Sequence, residues 1–387
     1  MKRSTPALVA LALGGLCIGT TEFAAMGLLP FIAGGFGATI PQAGHIISAY
    51  ALGVVIGAPL LTVLAAKWDR KVLLLGLMAF YTFANALSAF APSMGLLIVG
   101  RFLAGLPHGA FFGVGAVMGA HVAGAEKRGR AVAIMMVGLT VANIVGVPLV
   151  TWAGRVLGWR LSYAGICFLG LVTVAGVAAW IPRLPVGSQA SVSKEIAAMG
   201  NAPLWMVFAA GAVGFGGMFS VYSYVSPLLT ETAGLPLSAV PLVLSLFGAG
   251  MTIGALLGGR LSDRSVVRTA LVGFAMTALV LLGMGMLASR AWAAVGGIFA
   301  LGIVTQFLGV SLQARLMDLS PSAPSLGASL CHSGLNIGNA SGAWLGGIVL
   351  ASGYGNLAPA WVGLGLTLVG SLIFVAALGP AKRKFSI

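Results

Sequence analysis

Few side chains in this sequence can carry a charge or move a proton, and their positions are informative. Glu22 is the one carboxylate deep inside an apolar run, and Arg101 is the basic residue inside another. Arginine keeps its proton at any relevant pH, so Arg101 can pair or orient but cannot shuttle. Glu22 can take up and release a proton. His108 and His332 are the remaining titratable candidates within apolar runs. Each is a candidate for substrate contact or proton transfer, set against the plainer reading of a hydrogen-bonded packing residue. The three cysteines, Cys17, Cys167 and Cys331, are an odd and scattered set, which argues against a disulfide frame or a metal site. No Gly-x-x-x-x-Gly-Lys phosphate loop is present, so an ATP-driven pump is not expected. What remains is gradient coupling or passive carriage, with no catalytic cluster: not an enzyme, and no metal or cofactor expected.

The elements that must hold these residues follow from solvent. Hydrophobic residues are 59% of the 387 and charged residues 7%, against about 25% charged in a soluble domain. The mean hydropathy is +1.05. That apolar excess must face lipid. In lipid every backbone polar group needs a partner within the protein, which leaves helices or closed barrels. The apolar runs are about twenty residues long, the length of a helix crossing a ~30 Å core. Twelve spans are expected: Ala7–Leu29, Gln42–Leu64, Val72–Phe90, Met94–Met118, Ala131–Trp152, Leu161–Ile181, Pro203–Leu228, Ser238–Gly258, Val266–Leu287, Trp292–Ala314, Leu326–Leu350 and Ala358–Leu378. The first run begins like a signal peptide but continues to Phe31 with Glu22 embedded, so it reads as a retained helix.

The net charge of +14 is read as topology. Of the 21 Lys and Arg, 17 fall in segments on the amino-terminal side of the membrane; Arg155, Arg160 and Arg290 fall on the other. Positive residues stay inside, so both termini are expected in the cytoplasm. No basic cluster with interleaved aromatics suggests nucleic acid. The organisation expected is a six-helix bundle over 1–181, a cytoplasmic linker over 182–202 and a second six-helix bundle over 203–387. An offset of 197 residues pairs Pro30 with Pro227, Gly53 with Gly250, Gly57 with Gly254, Lys67 with Arg264, Lys71 with Arg268 and Gly105 with Gly302. Repeats of six spans share one orientation, a transporter architecture.

Local patterns add detail. Counting ~1.5 Å per residue, Glu22 lies about 12 Å from Pro30 and Arg101 about 10 Å from Met94, so their depths agree. Small residues recur every fourth position at Ala49-Gly53-Gly57, Gly138-Ala142-Gly146, Gly250-Gly254-Gly258 and Gly334-Gly338-Gly342-Gly346. Such stripes allow close helix approach. Phe215, Phe219, Tyr222 and Tyr224, with Gln306, Gln313 and Asn336, could form an apolar pocket with polar anchors, or ordinary core. The loops Thr62–Lys71 and Gly259–Arg268, the stretch Arg101–Ala110 and the segment Val137–Thr151 resemble motifs of the major facilitator superfamily. The first loop departs at Thr62 and Ala66, where Gly and Asp are usual. Val147 stands before Pro148, where Gly is usual. With Thr21–Gly27, Pro107–Gly113, Thr140–Asn143 and Asn336–Ala340, the chain looks like the drug:proton antiporter branch, and is most similar to AraJ-type sugar-efflux and chloramphenicol-resistance permeases.

That resemblance implies an all-α integral membrane fold, twelve helices in two parallel six-helix repeats. In that fold the first and fourth spans line one cavity, so Glu22 and Arg101 should approach each other, as a coupling pair with His108 nearby or as a fixed folding pair. The substrate cavity would involve Met26, Phe112, Phe215, Phe219, Tyr222, Gln306 and Asn336. Gly53, Gly57, Gly138, Gly146, Pro148, Gly250, Gly254, Gly338 and Gly342 would lie where the second span meets the eleventh and the fifth meets the eighth, as a sliding seam or as tight packing. Asp69, Arg70, Lys71, Asp263 and Arg264 would form a cytoplasmic gating loop. The function implied is proton-coupled efflux of a small amphipathic molecule, a drug or sugar, by alternating access. An uptake symporter or uniporter is the alternative; a membrane receptor or enzyme is disfavoured. The expected partners are the small-molecule substrate, protons and the lipid bilayer, with the chain a monomer in the bacterial cytoplasmic (inner) membrane.

Overall fold

A computed structural model of the chain describes residues 4–64, 68–123, 135, 137–183, 200–321 and 324–379. The 182–202 linker lies largely outside the described residues. The helices, in order, are α1 Ser4–Phe36, α2 Ile40–Leu64, α3 Arg70–Ala89, α4 Met94–Ala123, α5 Val137–Val156, α6 Trp159–Trp180, α7 Ala202–Tyr222, α8 Val240–Leu287, α9 Ala291–Asp318, α10 Pro324–Ala351 and α11 Ala358–Leu378. Among the described residues, 10 helices are long and apolar enough to cross a membrane. Many large apolar side chains stay exposed on them, including Phe83, Phe168, Leu279 and Leu372. Patches on that scale are foreign to soluble monomers and suit a hydrocarbon surround.

Local chemistry sets the helix ends and breaks. Gly37, at φ +63°, lets the chain leave α1, and Ala38 N–H returns to the Ala33 carbonyl at 2.9 Å, a glycine-type helix stop. Asp69 caps α3: its Oδ1 accepts from the N–H groups of Lys71 (2.9 Å) and Val72 (3.1 Å). The sequence places two spans between 238 and 287, whereas helix runs through 48 residues here, broken at Ser265 (φ −165°, ψ 101°). Unbroken, α8 would be roughly 70 Å long; each of its two arms is of span length. α5 contains a π turn, Ala142–Gly146.

The chain divides into two compact units, Met1–Thr39 with Ala49–Ala190, and Ile40–Ser48 with Ser191–Ile387. In the first, α1 packs on α4, α5 and α6, and α3 on α4 and α6. In the second, α7 packs on α9, α10 and α11, and α8 on α9 and α11.

The glycine stripes work inside these units. A Cβ at Gly53 would overlap the Phe102 carbonyl, one at Gly57 the Leu106 carbonyl, and one at Gly105 the Tyr50 carbonyl. In the second unit Gly250 meets the Phe299 carbonyl, Gly254 that of Ile303, and Gly302 that of Phe247. Each pairing is the first set moved by 197 positions. Gly138 lies on the Ala12 carbonyl and Gly146 on the Thr20 hydroxyl, both of α1. Gly338 and Gly342 lie on α7 at Phe215, Gly216 and Phe219. The seam expectation is corrected accordingly. Each of these glycines faces a helix of its own unit, where backbone or side-chain atoms leave no room for a Cβ. Pro148 is buried in the first turn after the π segment.

The same substitution at two glycines separates packing from propensity. Gly53→Ala should lower the thermal midpoint in detergent by several degrees, on the scale of about 1–3 kcal/mol for an overpacked contact. Gly76→Ala, with nothing within 4 Å of the added carbon, should leave it unchanged or raise it.

Candidate functional site

The site in the first unit is built on the middle of α4. Arg101 is 0% exposed. Its Nη2 donates to the Thr21 carbonyl at 3.1 Å. The guanidinium carbon lies 4.4 Å from the Tyr50 ring centroid and 5.6 Å from that of Tyr163. Nε and Nη1 have no hydrogen-bond partner. A guanidinium offers five N–H donors, and aromatic faces satisfy it only in part. Glu22 follows Thr21 on α1, is 7% exposed and lies within electrostatic reach of Arg101. The two charges are therefore neighbours. Among the described residues, however, the guanidinium bonds the carbonyl before the carboxylate, not the carboxylate itself. The paired fork typical of Arg–carboxylate contacts is replaced by a cation resting on tyrosine.

A third tyrosine, Tyr81, joins Tyr50 and Tyr163 around this site. The Tyr81 hydroxyl, on α3, hydrogen-bonds the Cys17 carbonyl at 2.9 Å and the Thr21 hydroxyl, fixing the α1 turn that presents Glu22. The Tyr50 hydroxyl, on α2, meets His108 Nδ1 at 3.0 Å. The His108 ring also packs on Phe112, centroids 5.3 Å apart. Tyr50, Tyr81 and Tyr163 were not singled out by sequence. The available signal was three tyrosines in three apolar runs, whose hydroxyls need partners when buried.

Met26 and Phe112 are buried in this first unit. Phe215, Phe219, Tyr222 and Asn336 are buried in the second, and Gln306 is half-buried there. Phe215 and Phe219 pack onto α10 at Gly338 and Gly342, so the aromatic stripe and the glycine stripe form one interface. Tyr222 stacks on Phe247 at 4.0 Å between centroids. Asn336 Nδ2 donates to the His332 carbonyl at 3.0 Å, while its Oδ1 and both amide atoms of Asn339 have no hydrogen-bond partner.

At the proposed gating loops, Asp69 is the α3 cap described above. Lys71 Nζ donates to the Ala178 carbonyl at the end of α6, at 2.6 Å. Arg70 is half-buried, and Asp263 and Arg264 are exposed beside the Ser265 break. Among the described residues no group of three or more His, Cys, Asp or Glu could hold a metal.

Long apolar helices around buried polar groups define a multi-span membrane protein. The Major Facilitator Superfamily model matches residues 11–321 and 207–386. The chain is 40% identical to the inner membrane transport protein YdhP of Escherichia coli (strain K12) over 97% of both chains. It is 33% identical to the chloramphenicol resistance protein of Streptomyces lividans over 96% of this chain and 94% of that one. It is 29% identical to a protein of Helicobacter pylori (strain ATCC 700392 / 26695) named "Probable sugar efflux transporter", over 88% of this chain and 87% of that one. The chain belongs to the major facilitator superfamily and is a transporter.

Asp69 separates capping from charge. Asp69→Asn keeps an oxygen for the two N–H groups and should preserve both stability and transport. Asp69→Ala should cost about 1 kcal/mol, read as a lower melting midpoint. Loss of transport in Asp69→Asn at unchanged midpoint would instead mark the charge as a gate.

Proposed function

We propose that this transporter is a proton-driven exporter of small amphipathic molecules, drugs or sugars, working by alternating access. The observation that carries this is Glu22, a carboxylate inside the first unit beside a guanidinium that is not bonded to it. When Glu22 is ionised, Arg101 is attracted to it. When Glu22 is protonated, Arg101 keeps only the Thr21 carbonyl and the tyrosine faces. A proton can bias a conformational equilibrium only by acting differently on its two states, and a pair that is attracted but not bonded supports such a role. His108, two turns along α4, is the second titratable group of the device. The relatives named for chloramphenicol resistance and sugar efflux support the substrate class.

The topology proposed has twelve spans, counting the two arms of α8 separately and including α10. The packing shared at an offset of 197 residues supports two repeats of six helices in one orientation. The Lys and Arg bias supports both termini in the cytoplasm, and the inner-membrane relative supports that location. The chain acts as a monomer, with substrate, protons and lipid as its partners and no cofactor. Phe112 and Met26 in one unit, and Gln306, Asn336 and the Tyr222 ring in the other, are the substrate contacts proposed.

Reconstitution tests this directly. Acid-inside proteoliposomes should accumulate radiolabelled chloramphenicol or one of a panel of radiolabelled sugars while protons leave. Glu22→Gln should abolish that accumulation and keep exchange of the same solute at equal pH. Gradient-driven accumulation that survives in Glu22→Gln would remove Glu22 from coupling, and accumulation only into alkaline-inside vesicles would make the carrier a symporter.

A further inference from the structure

The mechanism above uses Glu22, Arg101 and His108 and leaves open what connects them. His108 is seven residues from Arg101, about 10 Å along α4, too far for direct contact through the helix. One side chain reaches both. The Tyr50 ring lies 4.4 Å from the Arg101 guanidinium carbon, and its hydroxyl lies 3.0 Å from His108 Nδ1. Tyr50 is 1% exposed, and its hydroxyl is held on a base whose charge can change. Close packing fixes the backbone that carries the ring. The Tyr50 carbonyl abuts Gly105 of α4, so α2 cannot shift here without moving α4.

We propose that Tyr50 is a positioning residue that couples the charge state of His108 to the Glu22–Arg101 pair. This rests on the proton-coupled reading above. Its ring is the platform that keeps the guanidinium beside Glu22 without a direct hydrogen bond. Its hydroxyl decides where that platform sits. Against neutral His108 with a bare Nδ1, the hydroxyl donates. Against protonated His108, both ring nitrogens are donors, so the hydroxyl must turn and accept. The cation on the ring face then meets a different hydrogen-bonded phenol. The charged and titratable groups facing this ring are Glu22 and Cys17 of α1, Tyr81 of α3, Arg101 and His108 of α4, and Tyr163 of α6. Of these, His108 is the one hydrogen-bonded to the Tyr50 hydroxyl in the contacts described above. The sequence gives no hint of the link, because Tyr50 sits in an apolar run 51 positions before Arg101.

Infrared pH titration of the purified full chain in lipid tests this without a substrate. The carboxyl band of Glu22 is assigned by its loss in Glu22→Gln. Tyr50→Phe keeps the ring on Arg101 and removes only the hydroxyl. It should melt close to wild type yet move the pH midpoint of the Glu22 band. His108→Gln should move it by the same amount and in the same direction, and the double variant should move it no further. An unmoved midpoint in folded Tyr50→Phe overturns the proposal, as do shifts that add in the double variant. If Tyr50→Phe does not fold, His108→Gln alone decides, since a midpoint there equal to wild type also overturns it. Proton transport is read separately. Wild-type vesicles that move no protons, with the titration behaving as stated, would refute proton coupling and leave the Tyr50 link standing.

Discussion

A guanidinium placed among apolar helices cannot shed its charge, so everything near it must accommodate a cation. Insertion scales put that burden at roughly 2.5–3.5 kcal/mol. In this transporter four helices share it. α1 supplies the Thr21 carbonyl, α2 and α6 supply the faces of Tyr50 and Tyr163, and α4 supplies Arg101 itself. α3 contributes at one remove, because Tyr81 braces the turn holding Thr21. The first unit is organised around one charge that is incompletely satisfied, with two of its three nitrogens unpaired. A fully satisfied cation would be a structural rivet. This one retains bonding capacity for a nearby carboxylate, which suits a part that changes partners.

How much of this was legible in the sequence depends on which physical signal carried it. Glu22 and Arg101 stand out because charge in an apolar run is rare, and counting along helices placed them at matching depth. Tyr50 and Tyr81 were invisible to the same reasoning. A tyrosine adds to an apolar run while hiding a hydroxyl, and only the folded contacts reveal what the hydroxyl reaches. The glycine stripes announced close helix approach correctly, but a stripe carries no label for its neighbour. Gly53 was assigned to an interface between halves and sits instead on α4, where the Phe102 carbonyl excludes a side chain. The offset of 197 that matches Gly53 to Gly250 in sequence also matches the carbonyls they abut. At 259–268 a basic run was read as a full loop. The helix ends there instead with a single extended residue, Ser265, whose hydroxyl accepts from the Arg268 N–H at 3.4 Å.

The second unit has a different character. It contains no counterpart of the Glu22–Arg101 pair among its described residues. Its buried interior combines aromatic rings with carboxamides and hydroxyls left without partners, such as Asn339 and Ser223. Buried amides lacking partners are costly.

The π turn in α5 has a consequence for chain length. Gly138 and Gly146 are eight residues apart, which in a regular helix at 100° per residue would set them about 80° out of phase. One would face α1 and the other would point partly away. A π turn absorbs one extra residue, so the effective spacing becomes seven and the phase error falls to about 20°. Both glycines can then rest on α1, at Ala12 and Thr20. Within 142–146 the extra residue and the wider winding therefore go together. Losing both the extra residue and the π turn would leave the two glycines seven apart in a regular helix, at the same phase of about 20°, and both would still face α1.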